Sequence, residues 1–310
     1  MSVRPGKVTV VEVGPRDGLQ NESAIIPTAE KVAFVDALTA AGLPVVEVSA
    51  FVSPRWVPQM ADAAEVYAGI RRARGVRYPA LVPNLAGLER ARAAGVEEVA
   101  IFAAASESFS RRNINQSIEQ SLATYREVCA RAGALGIRVR AYLSTAFGCP
   151  FEGPVDPAQV ARVADALIAM GAFEVAVSDT IGIAHPGQVP VVVGAVAERV
   201  PIDRIALHFH DTRGTALANV LTALDLGIAT FDASAGGLGG CPYAPGATGN
   251  LATEDLIYML DGLGIETGVS LDALVDTSAR IAEHVGHLPS SRYFRAARAS
   301  SPPAGPRSSN

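Results

Sequence analysis

Two histidines two residues apart are the sharpest chemical signal in the chain. They lie in Ala206-Leu207-His208-Phe209-His210-Asp211, a run that reads as a strand. Residues two apart on a strand point to one face, so both imidazoles project together. That suits two ligands of one metal ion, or else two histidines at a polar mouth with no metal. Two histidines alone leave a divalent cation under-coordinated. An oxygen from Asp17 on a neighbouring strand end, with Asn250, would complete a hard, mostly oxygen shell. Such a mix favours Mg²⁺ or Mn²⁺ over structural Zn²⁺. Arg16 beside Asp17 is either a common ion pair or a cation able to hold an oxyanion. Glu47, flanked by Val45, Val46 and Val48, is costly to bury unless paired. It either salt-bridges Arg16 or belongs to an acid/base shell. Cys241 follows a run holding Gly236, Gly237, Gly239 and Gly240. Such a segment can approach a ligand closely and act as a hinged lid. Its thiol is a candidate proton donor, or an inert group in a tight turn. Cys129 and Cys149 read as structural, and His185, His284 and His287 receive no role in the chemistry.

These groups need a scaffold that brings them together. Strands are predicted at Val8–Val13, Val45–Ala50, Tyr78–Val82, Glu98–Ala103, Arg138–Thr145, Phe173–Ser178, Ile205–His210 and Ala229–Ser234. Helical spacing separates them, for example over Pro27–Ala41, Gln59–Ala73, Ser117–Leu135, Pro157–Met170, Pro186–Val200, Thr215–Leu226 and Thr253–Leu263. Gly42, Gly95, Gly136, Gly171 and Gly227 stand where helices should end in a left-handed cap. Eight alternations in about 260 residues are the count and size of a (β/α)₈ TIM barrel, an α/β fold. A doubly wound open sheet is the competing architecture. No G-x-G-x-x-G follows the first strand and no phosphate-binding loop motif occurs, which argues against it. In a barrel, catalytic groups sit at the C-terminal strand ends and in the loops after them, where Arg16, Asp17, the two strand histidines, Cys241 and Asn250 would fall. The expected organisation is a catalytic barrel over 1–265, a helical extension over 266–298 packing on it, and a disordered tail over 299–310.

Composition narrows the function. The chain is 310 residues long, 49% hydrophobic and 18% charged, ample for a large core. A net charge of −5 without a basic block speaks against a nucleic-acid or anionic-membrane partner. The longest apolar run, around Val189–Ala197, is too short to span a bilayer, and MSVRPGK lacks a secretory core, so a cytoplasmic location is expected. Three cysteines do not make a disulfide framework. Of 26 basic residues only Lys7 and Lys31 are lysines, one before the first strand and one in the first helix. Neither suits Schiff-base work, so an aldol-type cleavage here would need a metal as electron sink.

Taken together, the motifs resemble the 3-hydroxy-3-methylglutaryl-CoA lyase family. The resembling segments are VEVGPRDGLQNE (Val11–Glu22), SAFVSPRWVPQMAD (Ser49–Asp62), SRRNINQSIEQS (Ser110–Ser121), FGCPFEG (Phe147–Gly153), DTIGIAHPG (Asp179–Gly187), HFHDTRGTALAN (His208–Asn219) and GGLGGCPYAPGATGNLATEDLIYML (Gly236–Leu260). The likeness runs over about residues 8–265. The cysteine loop followed by NLATED is specific to the lyases. The R-D and H-x-H-D parts are shared with isopropylmalate-, homocitrate- and citramalate-synthase-like enzymes, so a forward Claisen synthase is an alternative. The resemblance implies a TIM barrel holding a divalent cation on Asp17, His208, His210 and Asn250. It implies retro-Claisen cleavage of 3-hydroxy-3-methylglutaryl-CoA to acetyl-CoA and acetoacetate, a step of leucine breakdown and ketone-body formation. Arg16 would stabilise the enolate oxygen, and Cys241 would protonate the carbanion or shield it. Asp17, Glu47 and His208 all stay open as the base. Gln20 and Asn113 match positions near the acyl-CoA path, and Asp179 and Thr180 match polar residues at the sixth strand end. A homodimer is implied as well. The chain departs from the family pattern at Ala50 and Ala176, where serine is usual, at Ser178, where glycine is usual, and at Arg213 in D-T-R-G, where tyrosine is usual. Hence a lyase for a related branched 3-hydroxyacyl-CoA is a second alternative.

Overall fold

The computed structural model describes residues 4–240 and 249–300. Its sheet has nine short segments: β1 (Thr9–Glu12), β2 (Val45–Val46), β3 (Ser49–Ala50), β4 (Ala80–Leu81), β5 (Glu98–Ala104), β6 (Arg138–Ser144), β7 (Glu174–Asp179), β8 (Ile205–Phe209) and β9 (Thr230–Ala233). All pairings are parallel, in the order β2-β1-β9-β8-β7-β6-β5-β4-β3. The two ends of that order are halves of one predicted strand. Val45 pairs with Val11 on one side and bridges to Arg77 on the other, while Ser49 pairs with Ala80. Between the halves, the Glu47 N–H donates to the Glu12 carbonyl (2.8 Å) and the Val48 N–H to that of Pro79 (3.0 Å). The ring therefore closes as an eight-stranded TIM barrel, with the break in the second strand falling at the buried Glu47.

The reasons for this closure are local. Strands buried on both faces carry near-continuous Val, Ile, Leu and Ala, as in the fully buried β7 and β8. Helices surround them, including Thr28–Ala40, Leu85–Ala93, Ile118–Ala134, Pro157–Ala169, Val189–Ala197, Ala216–Asp225 and Thr253–Gly262. The five glycines expected to cap helices have φ between 71° and 114°. Leu85–Ala93, begun by Asn84 accepting from the Gly87 N–H, and Glu107–Ile114 lie outside the expected set. The expected helix over Gln59–Ala73 shrinks to a tight turn at Pro58–Met60 and a helix at Ala63–Gly69, after which Ile70 is extended.

Leu271–Val285 packs on the first barrel helix, Thr28–Ala40, and on the glycine turn Ala235–Gly237. A last helix, Arg292–Ser300, is tied down by Asp255, which accepts from the Ser291 hydroxyl (2.7 Å), and it reaches two residues into the segment expected to be disordered. Among the described residues, no helix is long and apolar enough to cross a membrane.

Candidate active site

The C-terminal rim of the barrel gathers the residues picked out by type and spacing. Directly after β1 the chain turns over Gly14–Gly18, where the N–H groups of Asp17 (2.7 Å) and Gly18 (3.1 Å) both donate to the Val13 carbonyl. This turn aims Arg16 and Asp17 at the centre. His208 lies in β8, and His210 follows it with its backbone bridged to Asn250. One ligand atom each of Asp17, His208 and His210 lies within 4.8 Å of the others. The Asn250 amide donates to Asp17 Oδ2 (3.0 Å) and to the Leu238 carbonyl (3.0 Å). Asn250 Oδ1 and His210 Nδ1 are then buried with no hydrogen-bond partner among the described residues. Leaving such acceptors unpaired costs about 1–3 kcal/mol each, so a bound partner is called for. A carboxylate, two imidazoles and an amide oxygen form a donor set that fits a divalent cation.

The electrostatics agree. Burial alone would raise Asp17, but Arg16, His208, His210 and the Asn250 hydrogen bond together bring it down to about 2. Burial, followed by repulsion from His208, lowers His210 to about 3, so its imidazole is neutral. A neutral imidazole and an ionised carboxylate are the forms that bind metals. Glu47 is fully buried and is raised by that burial, with only part offset by Arg16. Its Oε2 accepts from Arg16 Nε (2.8 Å) and from the Tyr142 hydroxyl (3.0 Å). Arg16 Nη1 reaches Asp17 Oδ1 at 2.5 Å, and the guanidinium lies 5.1 Å from the centroid of the Tyr142 ring. Arg16 is thus fixed on two sides, and its Nη2 has no hydrogen bond among the described residues.

A cavity of about 660 Å³ opens over this centre. Arg16, Asp17, Gln20, Asn113, Thr180, His208 and His210 all line it, together with apolar Leu81 and Phe102. Three expected site residues do not: Glu47, Asp179 and Asn250, the last of which reaches the centre through its hydrogen bond to Asp17. Glu47 lies beneath Arg16, out of the cavity. Asp179 is buried with its carboxylate accepting the N–H groups of Ile183 (2.9 Å) and Ala184 (3.0 Å). Asp179 thus holds the loop after β7, and burial raises it to about 6. Thr180 stays on the cavity wall, where its hydroxyl accepts from the Thr145 N–H (2.8 Å). Gly240 lines the cavity, and the next residue, Cys241, lies outside the described residues. Neither Ala50 nor Ala176 reaches the cavity lining, whereas Ser178 does. Arg213 donates to the carbonyls of Ile181 (3.0 Å) and Gly182 (2.9 Å), bracing the same loop as Asp179.

Residue types alone did not disclose the layer below. Arg140 in β6 pairs with Glu174 in β7 and with Asp232 in β9, and Asp232 faces His208. Charges set in otherwise apolar strand runs, RVRAYLS and TFDA, were the available signal. Glu12, at the end of β1, was also missed. Its carboxylate accepts from the Gly14 N–H (2.8 Å), the Ala235 N–H (2.8 Å) and the Thr253 hydroxyl (2.7 Å). It thereby joins the Arg16–Asp17 turn to the glycine turn and to the helix after Asn250. Glycine is required where those segments meet: a Cβ at Gly239 would lie 3.1 Å from Gly18 Cα, and one at Gly249 would lie 1.7 Å from the Gly239 carbonyl oxygen.

The HMGL-like family model matches residues 7–281 of this chain. The chain belongs to the HMGL-like family. As a member of the HMGL-like family it is 56% identical, over 292 residues, to a 3-hydroxy-3-isohexenylglutaryl-CoA/hydroxy-methylglutaryl-CoA lyase of Pseudomonas aeruginosa, an alignment spanning 94% of this chain and 97% of that one. The mitochondrial hydroxymethylglutaryl-CoA lyase of Bos taurus is 53% identical over 292 residues, or 94% of this chain and 90% of its own. Among solved structures, a hydroxymethylglutaryl-CoA lyase from Pseudomonas aeruginosa superposes on this HMGL-like barrel with a TM-score of 0.95 at 55% identity, covering 96% of this chain and 99% of that one.

Proposed function

We propose that this chain cleaves 3-hydroxy-3-methylglutaryl-CoA into acetyl-CoA and acetoacetate. The single observation that carries the reading is the convergence of Asp17, His208 and His210, with Asn250 hydrogen-bonded to Asp17, beside a doubly anchored Arg16 at the cavity. Full-length likeness to lyases of this reaction supports it. The bond to be broken lies between C2 and C3 of the acyl chain. Its electrons pass to the thioester as an enolate while the tertiary hydroxyl loses its proton and becomes the ketone of acetoacetate. A divalent cation on the four ligands, Mg²⁺ or Mn²⁺, lowers the pKa of that hydroxyl when bound. Arg16 turns its free Nη2 toward the developing enolate oxygen, a contact of a kind typically contributing about 3–4 kcal/mol to the transition state. Glu47 and Asp17 hold the guanidinium in place, so that little reorganisation remains at the moment of reaction. Glu47 sits below the cavity and the His208 lone pair serves the cation, so in this reading the Asp17 carboxylate, on the cavity wall, takes the hydroxyl proton. Gln20, Asn113 and Thr180 present polar atoms along the wall for the rest of the substrate. By family resemblance, Cys241 returns a proton to C2, completing acetyl-CoA.

The same reading carries a role in leucine breakdown, a homodimer, a cytoplasmic location, and a barrel over 1–265 with a helical extension over 266–298. A longer 3-alkyl branch is a second reading, favoured by the name of the Pseudomonas relative and by the apolar Leu81 and Phe102 on the cavity wall. The experiment is product identification. Purified protein with Mg²⁺ is given 3-hydroxy-3-methylglutaryl-CoA and, separately, its 3-isohexenyl analogue, each with and without a chelator. Chelator-sensitive release of acetoacetate is expected. No acetoacetate with metal present, alongside condensation of acetyl-CoA with a 2-oxo acid, would replace the lyase with a synthase.

A further inference from the structure

Beneath the two histidines lies a buried charge cluster that the reaction described above does not use. His208 in β8 and Asp232 in β9 are register partners, and His208 Nδ1 lies 3.1 Å from Asp232 Oδ2. Arg140 grips the same carboxylate with two nitrogens, Nη2 to Oδ1 at 2.7 Å and Nη1 to Oδ2 at 3.3 Å. Arg140 is in turn held through Nε by Oε1 of its own register partner, Glu174, at 2.7 Å. Arg140 and Asp232 are 1% exposed, and they meet through the barrel interior from strands that are not neighbours. Burying three charged groups in one layer is expensive, and hydrophobic residues of similar volume commonly serve stability as well or better. A role beyond stability is therefore the better account of the cluster.

The geometry supplies that role. A carboxylate bound by a guanidinium offers only acceptor atoms to an imidazole, so His208 must present Nδ1–H to Asp232. The other ring nitrogen, Nε2, then keeps its lone pair and can be the one ligand atom that His208 offers beside Asp17 and His210. The ring can neither change tautomer nor flip without losing this bond, and Arg140 stops Asp232 from following it.

We propose that Asp232, braced by Arg140, is a positioning residue that fixes the tautomer and orientation of His208 and so sets the divalent-cation affinity of the site. The proposal rests on the cation-site reading given under Proposed function. Glu174 also pairs with Arg140 but does not touch His208, which makes it the internal control.

The test is Mn²⁺ titration of the full chain, followed by the electron-paramagnetic-resonance signal of free Mn²⁺, with circular dichroism as a check on folding. Wild type should bind Mn²⁺. Asp232→Asn should bind it about 10–100-fold more weakly, the usual range for losing an outer-shell partner, while Glu174→Gln should stay within about threefold of wild type. Equal affinities in wild type and Asp232→Asn overturn the proposal and leave the cation site standing. Equal weakening in both variants also overturns it, because the cluster would then act only through general stability. No Mn²⁺ binding by wild type overturns the cation-site reading itself, and this inference with it. Should Asp232→Asn not fold, imidazole ¹⁵N resonances of the wild-type protein with Mg²⁺ decide the matter: His208 protonated on Nδ1 is expected, and His208 protonated on Nε2 refutes the proposal.

Discussion

Replacing Arg16 by methionine separates its two duties. The substitution keeps an apolar stem of similar length and removes the charge. Arg16 Nε lies 2.8 Å from Glu47 Oε2 and Nη1 lies 2.5 Å from Asp17 Oδ1. At an effective dielectric constant of about 20, each contact is an attraction on the order of 5 kcal/mol. Breaking a buried pair by deleting one partner usually costs about 3–5 kcal/mol, because the other charge is stranded. Glu47, already raised by burial, can take up a proton and relieve part of this. The expected loss is therefore about 3 kcal/mol, seen as a fall in melting temperature of about 5 °C. Catalysis should suffer separately. Without the donor at the enolate oxygen, kcat for acetoacetate release should drop by about 10²–10³. The double variant Arg16→Met/Glu47→Gln neutralises the stranded carboxyl and should recover most of the stability with none of the activity. A single variant turning over within about tenfold of wild type would refute the oxyanion role. Activity that returns with stability in the double variant would refute it too, since the loss would then be structural.

Four further outcomes follow from the same geometry. His210→Ala should weaken Mg²⁺ or Mn²⁺ binding at least about tenfold by calorimetric titration, and unchanged affinity would remove it from the ligand set. Cys241→Ser should cut turnover by about 10²–10⁴ while leaving metal affinity and melting temperature alone, and undiminished turnover would take the thiol out of the mechanism. Gly249→Ala forces a Cβ to within 1.7 Å of the Gly239 carbonyl at a φ of +92°, so it should lower stability by at least about 2 kcal/mol in denaturant titration and reduce activity through Asn250. Burial raises Glu12 and Glu254 from 4.5 to about 7, so their protonated forms favour the fold. Stability held below pH 4.5 should therefore fall as pH rises through 7, by up to about 3 kcal/mol per carboxyl, with the burial-lowered His210 opposing part of the trend below pH 6.5. Denaturant midpoints from pH 5 to 8 read this slope. Glu12→Gln should flatten it, and a slope identical in the variant would contradict the assignment.

The architecture was largely legible because it rests on short-range rules. Apolar runs broken by amphipathic stretches, each closed by a glycine cap, report strand–helix alternation one unit at a time, and eight such units have one common closed arrangement. The pairing of His208 with His210 was legible for the same reason: a period of two on a strand needs no knowledge of the fold. The break in the second strand was not legible. Val45–Ala50 reads as one continuous strand, and only closure of the ring requires it to reach one neighbour with its first half and the other with its second.

The site divides along the same line. By itself the sequence determined which residue types stand at strand ends, and those types named the chemistry: Arg16 and Asp17, the two histidines and Asn250. Tertiary structure alone decided what each one meets. It placed Glu47 under Arg16 rather than in the cavity, turned Asp179 onto the amides of its own loop, and brought Arg140 to Asp232 across 92 positions of chain. The physical reason is that propensity and periodicity act over a few residues, whereas a charge buried in a closed barrel is satisfied by whichever partner the ring delivers to the interior, and sequence separation says nothing about that meeting.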